Sequence, residues 1–189
     1  MLSLDNYNSN NSRSRLYLVP RSGDLQKDIY NYINENPGIR YKELTRLAAI
    51  SNGVLTYHLG VLQKLNKIKV ERQSNNRVTR YFIADISKRD SNIIGYFRNG
   101  VTRKIILFIL ENEFCTFNEI VDDIGKAPST ISWHVKKLKE ADILRIIHGE
   151  ERLLYRLTDR KIVSQLLLKY EQSFTDKIVD NYTEMIDKL

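Results

Sequence analysis

Cysteine is almost missing: Cys115 is the single one in 189 residues, so no disulfide can form within the chain and a reducing, cytoplasmic setting is expected. Long apolar runs are missing too. The stretch Ile105-Ile106-Leu107-Phe108-Ile109-Leu110 ends at Glu111, far short of the roughly 18 residues a membrane helix needs, so no membrane partner is expected. The opening Met1-Leu2-Ser3-Leu4-Asp5 lacks the charged-then-apolar layout of a secretion signal, and the Asn/Ser/Arg run after it is too polar to pack. Residues 1–22 are therefore expected to be a disordered tail. There is no glycine-rich phosphate loop, no Ser/His or Cys/His arrangement and no carboxylate pair placed for catalysis, so an enzyme is not expected. Three histidines (His58, His134, His148) and one thiol lack the number and spacing of a metal-ligand set, so no cofactor is expected either.

What is present is ordinary for a globular chain: 42% hydrophobic and 28% charged residues. Lys and Arg number 30 against 23 Asp and Glu, a net +7, which favours a polyanionic partner. The same surplus also serves solubility alone.

The informative feature is an internal repeat. Shifted by 76 positions, the chain aligns with itself without gaps: Ile29 falls on Ile105, Ile33 on Ile109, Glu43 on Glu119, His58 on His134 and Leu62 on Leu138. Apolar positions recur at the same places, so both halves are expected to bury the same helix faces. In the first half a helix is predicted over 24–35, then a short second helix carrying Leu44 and Leu47. A third follows, with Leu55, Leu59, Leu62 and Leu65 on one stripe. In the second half the first helix is predicted over 102–111, and the third shows Ile131, Val135, Leu138 and Ala141. Ser51 can cap the first copy of the third helix, and Pro128 opens the second copy, where its missing N–H costs nothing. Two β-type runs end each half, 68–72 with 79–83 and 143–147 with 153–157. Three helices and a β-hairpin, twice over, is a mainly α architecture with small β-hairpin wings (α+β).

With these elements in place, the chain resembles the winged helix-turn-helix regulators of the ArsR-like group, specifically the tandem two-unit type common in archaea. The run from Pro128 to Ala141 is similar to that family's recognition helix. Leu55-Thr56-Tyr57-His58-Leu59-Gly60-Val61-Leu62 resembles a degenerate copy. The expected organisation is a winged-helix domain at 23–84, a linker at 85–100 whose apolar run Ile93-Ile94-Gly95-Tyr96-Phe97 suggests packing between the units, a second domain at 101–158 and a C-terminal helix at 159–189. That helix carries Val163, Leu167, Tyr170, Phe174, Ile178, Tyr182, Met185 and Leu189 as a long stripe, which predicts a homodimer pairing two such helices; folding back on the same chain is the alternative.

The resemblance implies sequence-specific binding to double-stranded DNA and regulation of transcription, with no effector legible. A recognition helix buries one side and presents short polar or cationic side chains to the major groove. In the second unit these are Ser129, Thr130, Ser132, Trp133, His134, Lys136 and Lys137, with Arg145 and Arg152 on the wing. In the first they are Ser51, Asn52, Thr56, Tyr57 and Lys64, with Arg72, Arg77 and Arg80 on the wing. Alternatives stand beside each: the lysines as a solvated face, Tyr57 and Trp133 as packing residues, the histidines as structural groups. Net charge is +5 over residues 24–84 and zero over 101–160, so the first unit is expected to supply more phosphate attraction and the second more base contact. The rival function is a tandem winged-helix module that docks onto proteins, such as a subunit of the transcription machinery. A third is general coating of chromatin without regard to sequence.

Overall fold

The computed structural model describes residues 24–72, 78–150, 152–170 and 173–174. The first half forms helices α1 (Leu25–Glu35), α2 (Tyr41–Ala48) and α3 (Asn52–Lys64), then strands β1 (Ile68–Arg72) and β2 (Thr79–Ile83). Helix α4 (Lys88–Phe97) follows. The second half repeats the order with α5 (Gly100–Asn112), α6 (Phe117–Ile124), α7 (Pro128–Glu140), β3 (Leu144–His148) and β4 (Leu153–Leu157). Residues 160–170 are helical again. Each hairpin is a two-stranded antiparallel sheet, Val70 opposite Tyr81 in one and Ile146 opposite Tyr155 in the other.

The repeat reaches into the backbone. The turns that end α2 and α6 both place their last residue in the left-handed region, Ala49 at φ 52° and Gly125 at φ 64°, and the turns after α3 and α7 do the same with Asn66 and Asp142. Each pair is 76 positions apart. Glu43 and Glu119 both reach back to the backbone N–H that precedes their helix, from Arg40 at 3.0 Å and from Thr116 at 2.7 Å, closing an otherwise unpaired donor. Ile39 and Cys115, again equivalent, each bridge to a wing tyrosine, Tyr81 and Tyr155. Cys115 is thus a small core residue standing where the other half has isoleucine, and burial pushes its thiol pKa up to about 11, which keeps it inert.

Two apolar cores result. Ile29, Ile33, Leu44, Leu55, Leu59 and Leu62 fill the first. The second joins Ile105, Ile109, Ile120, Ile131 and Leu138 to the residues on either side of its own repeat. The segment 85–100, expected as a linker, is largely helix α4: Ser87 caps it by accepting from the Asp90 N–H at 3.0 Å, and Ile93, Ile94 and Phe97 are buried in the second core. Packing of its apolar run is as expected, whereas its helical form is not. Gly38 shows how closely this helix approaches the first unit: a Cβ there would lie 3.2 Å from Phe82 and 3.3 Å from Ile94, at φ +75°, so a side chain is doubly disfavoured.

The terminal stripe also departs from expectation. Val163, Tyr170 and Phe174, with Leu166, are buried in the chain's own second core, so this part is covered by folding back and not by another chain. Leu65 departs as well, because α3 ends at Lys64 and leaves it exposed. The expected tail, the first wing's turn with Arg77, and Ile178, Tyr182, Met185 and Leu189 lie outside the described residues.

Arg98, the C-cap of α4, ties three segments together. Its Nε and Nη2 donate to the Pro37 carbonyl at 3.0 and 2.8 Å, its Nη1 donates to the Ser173 carbonyl at 2.8 Å, and its Nη2 also to Ser173 Oγ at 2.8 Å. The guanidinium also lies over the Phe174 ring, 5.1 Å from its centroid.

Candidate nucleic-acid interface

Helices α3 and α7 each bury one face and expose another. On α3, Leu55, Leu59 and Leu62 point inward, while Asn52, Thr56, Tyr57 and Lys64 are exposed. Ser51 caps the helix, its Oγ accepting from the Val54 N–H at 3.5 Å, and stays exposed. Tyr57 is 67% exposed and meets His58 edge to face, with ring centroids 5.3 Å apart. A large aromatic left in water beside a row of hydroxyl and amide groups suits stacking or methyl contact.

On α7, Ile131, His134, Val135 and Leu138 are buried, whereas Ser129, Thr130, Ser132, Trp133 and Lys136 are exposed. Trp133, 54% exposed, stands edge-on to His134 with centroids 4.8 Å apart. The two aromatic–histidine pairs occupy equivalent places in the repeat. Position 134 itself turns inward: His134 is only 8% exposed, and burial holds its pKa below the usual histidine value. It therefore does not present itself to a groove.

Two expected cations are not free surface groups. Arg80 is 2% exposed because β2 alternates its side chains and this one faces inward, its Nη1 donating to the Gly38 carbonyl at 2.9 Å. Lys137 pairs with Glu140 at 2.7 Å and is mostly covered, since the three-residue spacing sets the two one above the other. Arg72, Arg145 and Arg152 are exposed, and Arg145 donates to the Thr158 carbonyl at 3.1 Å.

One contributor escaped sequence reasoning. Tyr41, at the start of α2, donates its hydroxyl to the Asn52 carbonyl at 2.8 Å and shares a hydrogen bond with Thr56 Oγ1 at 3.0 Å. It fixes α3 against α2 and orients the threonine. The repeat held a clue, because the equivalent residue is the aromatic Phe117, which lacks the hydroxyl and leaves Ser132, Thr130 and their neighbours without this tie.

Three helices followed by a two-stranded hairpin, with the third helix exposed on its polar side, occur twice, and a family model matches the helical part of each copy. Residues 24–69 match the model "Winged helix-turn-helix DNA-binding" and residues 100–145 match "Bacterial regulatory protein, arsR family". The chain is a tandem winged helix-turn-helix protein, ArsR-like in its second unit. An uncharacterised HTH-type transcriptional regulator of Methanocaldococcus jannaschii is 29% identical over 136 residues, 72% of this chain. The match spans only 34% of that relative's length. Structures of Lactococcus lactis ZitR share 14% identity with a TM-score of 0.37 in a mutant form, covering 72% of this chain and 83% of that one. For ZitR in complex with DNA the figures are 15% and 0.31, covering 73% and 83%. Superpositions this loose carry nothing further about this chain. In the tandem winged-helix frame, α3 and α7 occupy the position of the recognition helix and the hairpins β1–β2 and β3–β4 that of the wing.

Proposed function

We propose that this protein binds duplex DNA in a sequence-dependent way and regulates transcription. The carrying observation is that both recognition helices expose short polar and cationic side chains on one face, Asn52, Thr56 and Lys64 in one and Ser129, Thr130, Ser132 and Lys136 in the other, while burying their opposite faces; Thr56 and Ser132, and Tyr57 and Trp133, are exposed at equivalent positions of the repeat. Serine and threonine hydroxyls reach bases or phosphates, and lysines neutralise phosphates. The two units divide the work: the first, with its surplus of basic residues, attracts the backbone, and the second reads more of the base edges. Selection of bound fragments from random duplexes tests this, and enrichment of a discrete site is expected. Binding with no preference, or none at moderate salt, overturns the reading, and in the latter case the exposed Tyr57 and Trp133 would belong to a protein-docking surface. Lys136→Gln in the full chain should lower the dependence of affinity on salt by about one phosphate contact.

The protein acts as a cytoplasmic homodimer in this reading, as suits a reader of two-fold symmetric sites. Pairing would rest on Ile178, Tyr182, Met185 and Leu189, the remainder of the stripe, because the residues before them are occupied by the chain's own core. Truncation after Phe174 should therefore yield monomers by light scattering with the fold retained, and a truncated protein that stays dimeric refutes the pairing.

A further inference from the structure

A cavity of about 560 Å³ opens between the two units, bounded by the first wing, α4 and α7, a size typical of sites for small ligands. Its lining is strongly cationic. Three of the cations are neutralised locally: Lys88 by Glu71 at 3.0 Å, Lys137 by Glu140 at 2.7 Å and Arg89 by Asp159 at 3.0 Å. The other three, Arg40, Arg72 and Arg80, line the same cavity with no ion pair among the described residues.

Arg80 is the telling member. It is buried, its Nη1 is held by the Gly38 carbonyl, and its Nε has no hydrogen-bond partner. Burial and the neighbouring Arg40 pull its pKa down to about 10, with Glu43 opposing, so the guanidinium is still charged at neutral pH. A buried guanidinium with one donor left unpartnered is an unfavourable arrangement unless something completes it. His134 presents a second such group, since its buried Nδ1 is also unpartnered and the residue lines the same cavity. Tyr96 and Trp133 supply aromatic surface beside it.

We propose that this cavity binds a small phosphorylated, ring-bearing metabolite of the nucleoside diphosphate class. The phosphates meet Arg40, Arg72 and Arg80, whose guanidinium forks match phosphate oxygens, and the ring lies against Tyr96 or Trp133. A single carboxylate would leave most of this positive charge uncompensated. The ligand is also an effector: the exposed Trp133 belongs to recognition helix α7, so occupancy of the cavity competes with DNA for it. That second step rests on the DNA-binding reading, whereas ligand binding does not.

Calorimetric titration of the full chain with ADP, in phosphate-free buffer at low salt and without DNA, tests the site. Saturable binding is expected, at least about tenfold tighter than for adenosine, because a charge-assisted hydrogen bond is worth that much. Arg80→Gln should weaken ADP by about tenfold or more on the same grounds. Should that variant fail to fold, Arg72→Gln at the exposed end of β1 serves, with Lys104→Gln on α5 as the comparison that leaves affinity unchanged. Absence of saturable ADP binding, or equal losses in Arg72→Gln and Lys104→Gln, overturns the site. In a second arm, saturating ADP should weaken duplex affinity while adenosine does not. If ADP binds and duplex affinity holds, the effector role is overturned and the site stands; if no duplex binds even without ADP, the DNA reading fails and the effector role falls with it.

Discussion

Replacing Arg98 by leucine tests whether the two units are held as one body by a single buried guanidinium. The wild-type side chain, 7% exposed, satisfies the carbonyls of Pro37 and Ser173 and the Ser173 hydroxyl. Leucine would leave both carbonyls buried and unpaired, at about 1–3 kcal/mol each, and would lose the contact with the Phe174 ring, worth about 0.5–2 kcal/mol. Against this stands relief from burying a charge, since desolvation already drags the Arg98 pKa down to about 10. The net loss is then roughly 2–4 kcal/mol, or a fall in Tm of roughly 5–15 °C for a chain of this size. Urea denaturation should be followed both by circular dichroism and by fluorescence of Trp133, the only tryptophan, which reports on the second unit. The two probes should coincide in the wild type and separate in Arg98→Leu, with the first unit melting apart from the second. A loss under about 1 kcal/mol with coincident probes would show that water satisfies these carbonyls and that the bridge is dispensable.

Tyr41→Phe removes the hydroxyl that reaches Asn52 and Thr56; stability should fall by about 0.5–1.5 kcal/mol, and duplex affinity should fall together with it, which a parallel melt and gel-shift titration would reveal. His134 has a folded pKa held below its ordinary 6.5 by burial, so the unfolded chain binds the proton more readily. Its contribution to stability is complete above that value and is lost as pH falls below it. Urea midpoints measured between pH 7.5 and about 5.5 should decline in the wild type more steeply than in His134→Gln, and parallel slopes would contradict the assignment.

Helix positions and both hairpins were legible in the chain because they are written in local periodicity. Leu55, Leu59 and Leu62 repeat at helical spacing, and their partners recur 76 residues later, so one unit confirmed the other. Strands β1 and β2 fall on the runs expected of them, and β3 lies one residue later than expected. Exposure of Asn52, Thr56, Ser129, Thr130 and Lys136 follows from the same pattern, since a helix with one apolar stripe leaves its other side in water.

What local pattern could not convey was which long-range partner each face would find. The apolar run of segment 85–100 suggested packing between the units, but that the segment forms a helix with Ile93, Ile94 and Phe97 in the second core was decided by the surface the second unit supplies. The stripe from Val163 to Phe174 suits a second chain or its own equally well by periodicity, and only packing assigns its described part to its own. Arg80 sits in a strand whose alternation is clear, but which side of a two-stranded wing faces inward depends on the body behind it. The amino-acid sequence by itself determined the elements and their duplication, because these depend on neighbours within a few residues. Tertiary structure alone decided how the units join, which cations remain exposed and where unpaired ones converge, because burial and charge compensation depend on residues brought together from distant parts of the chain.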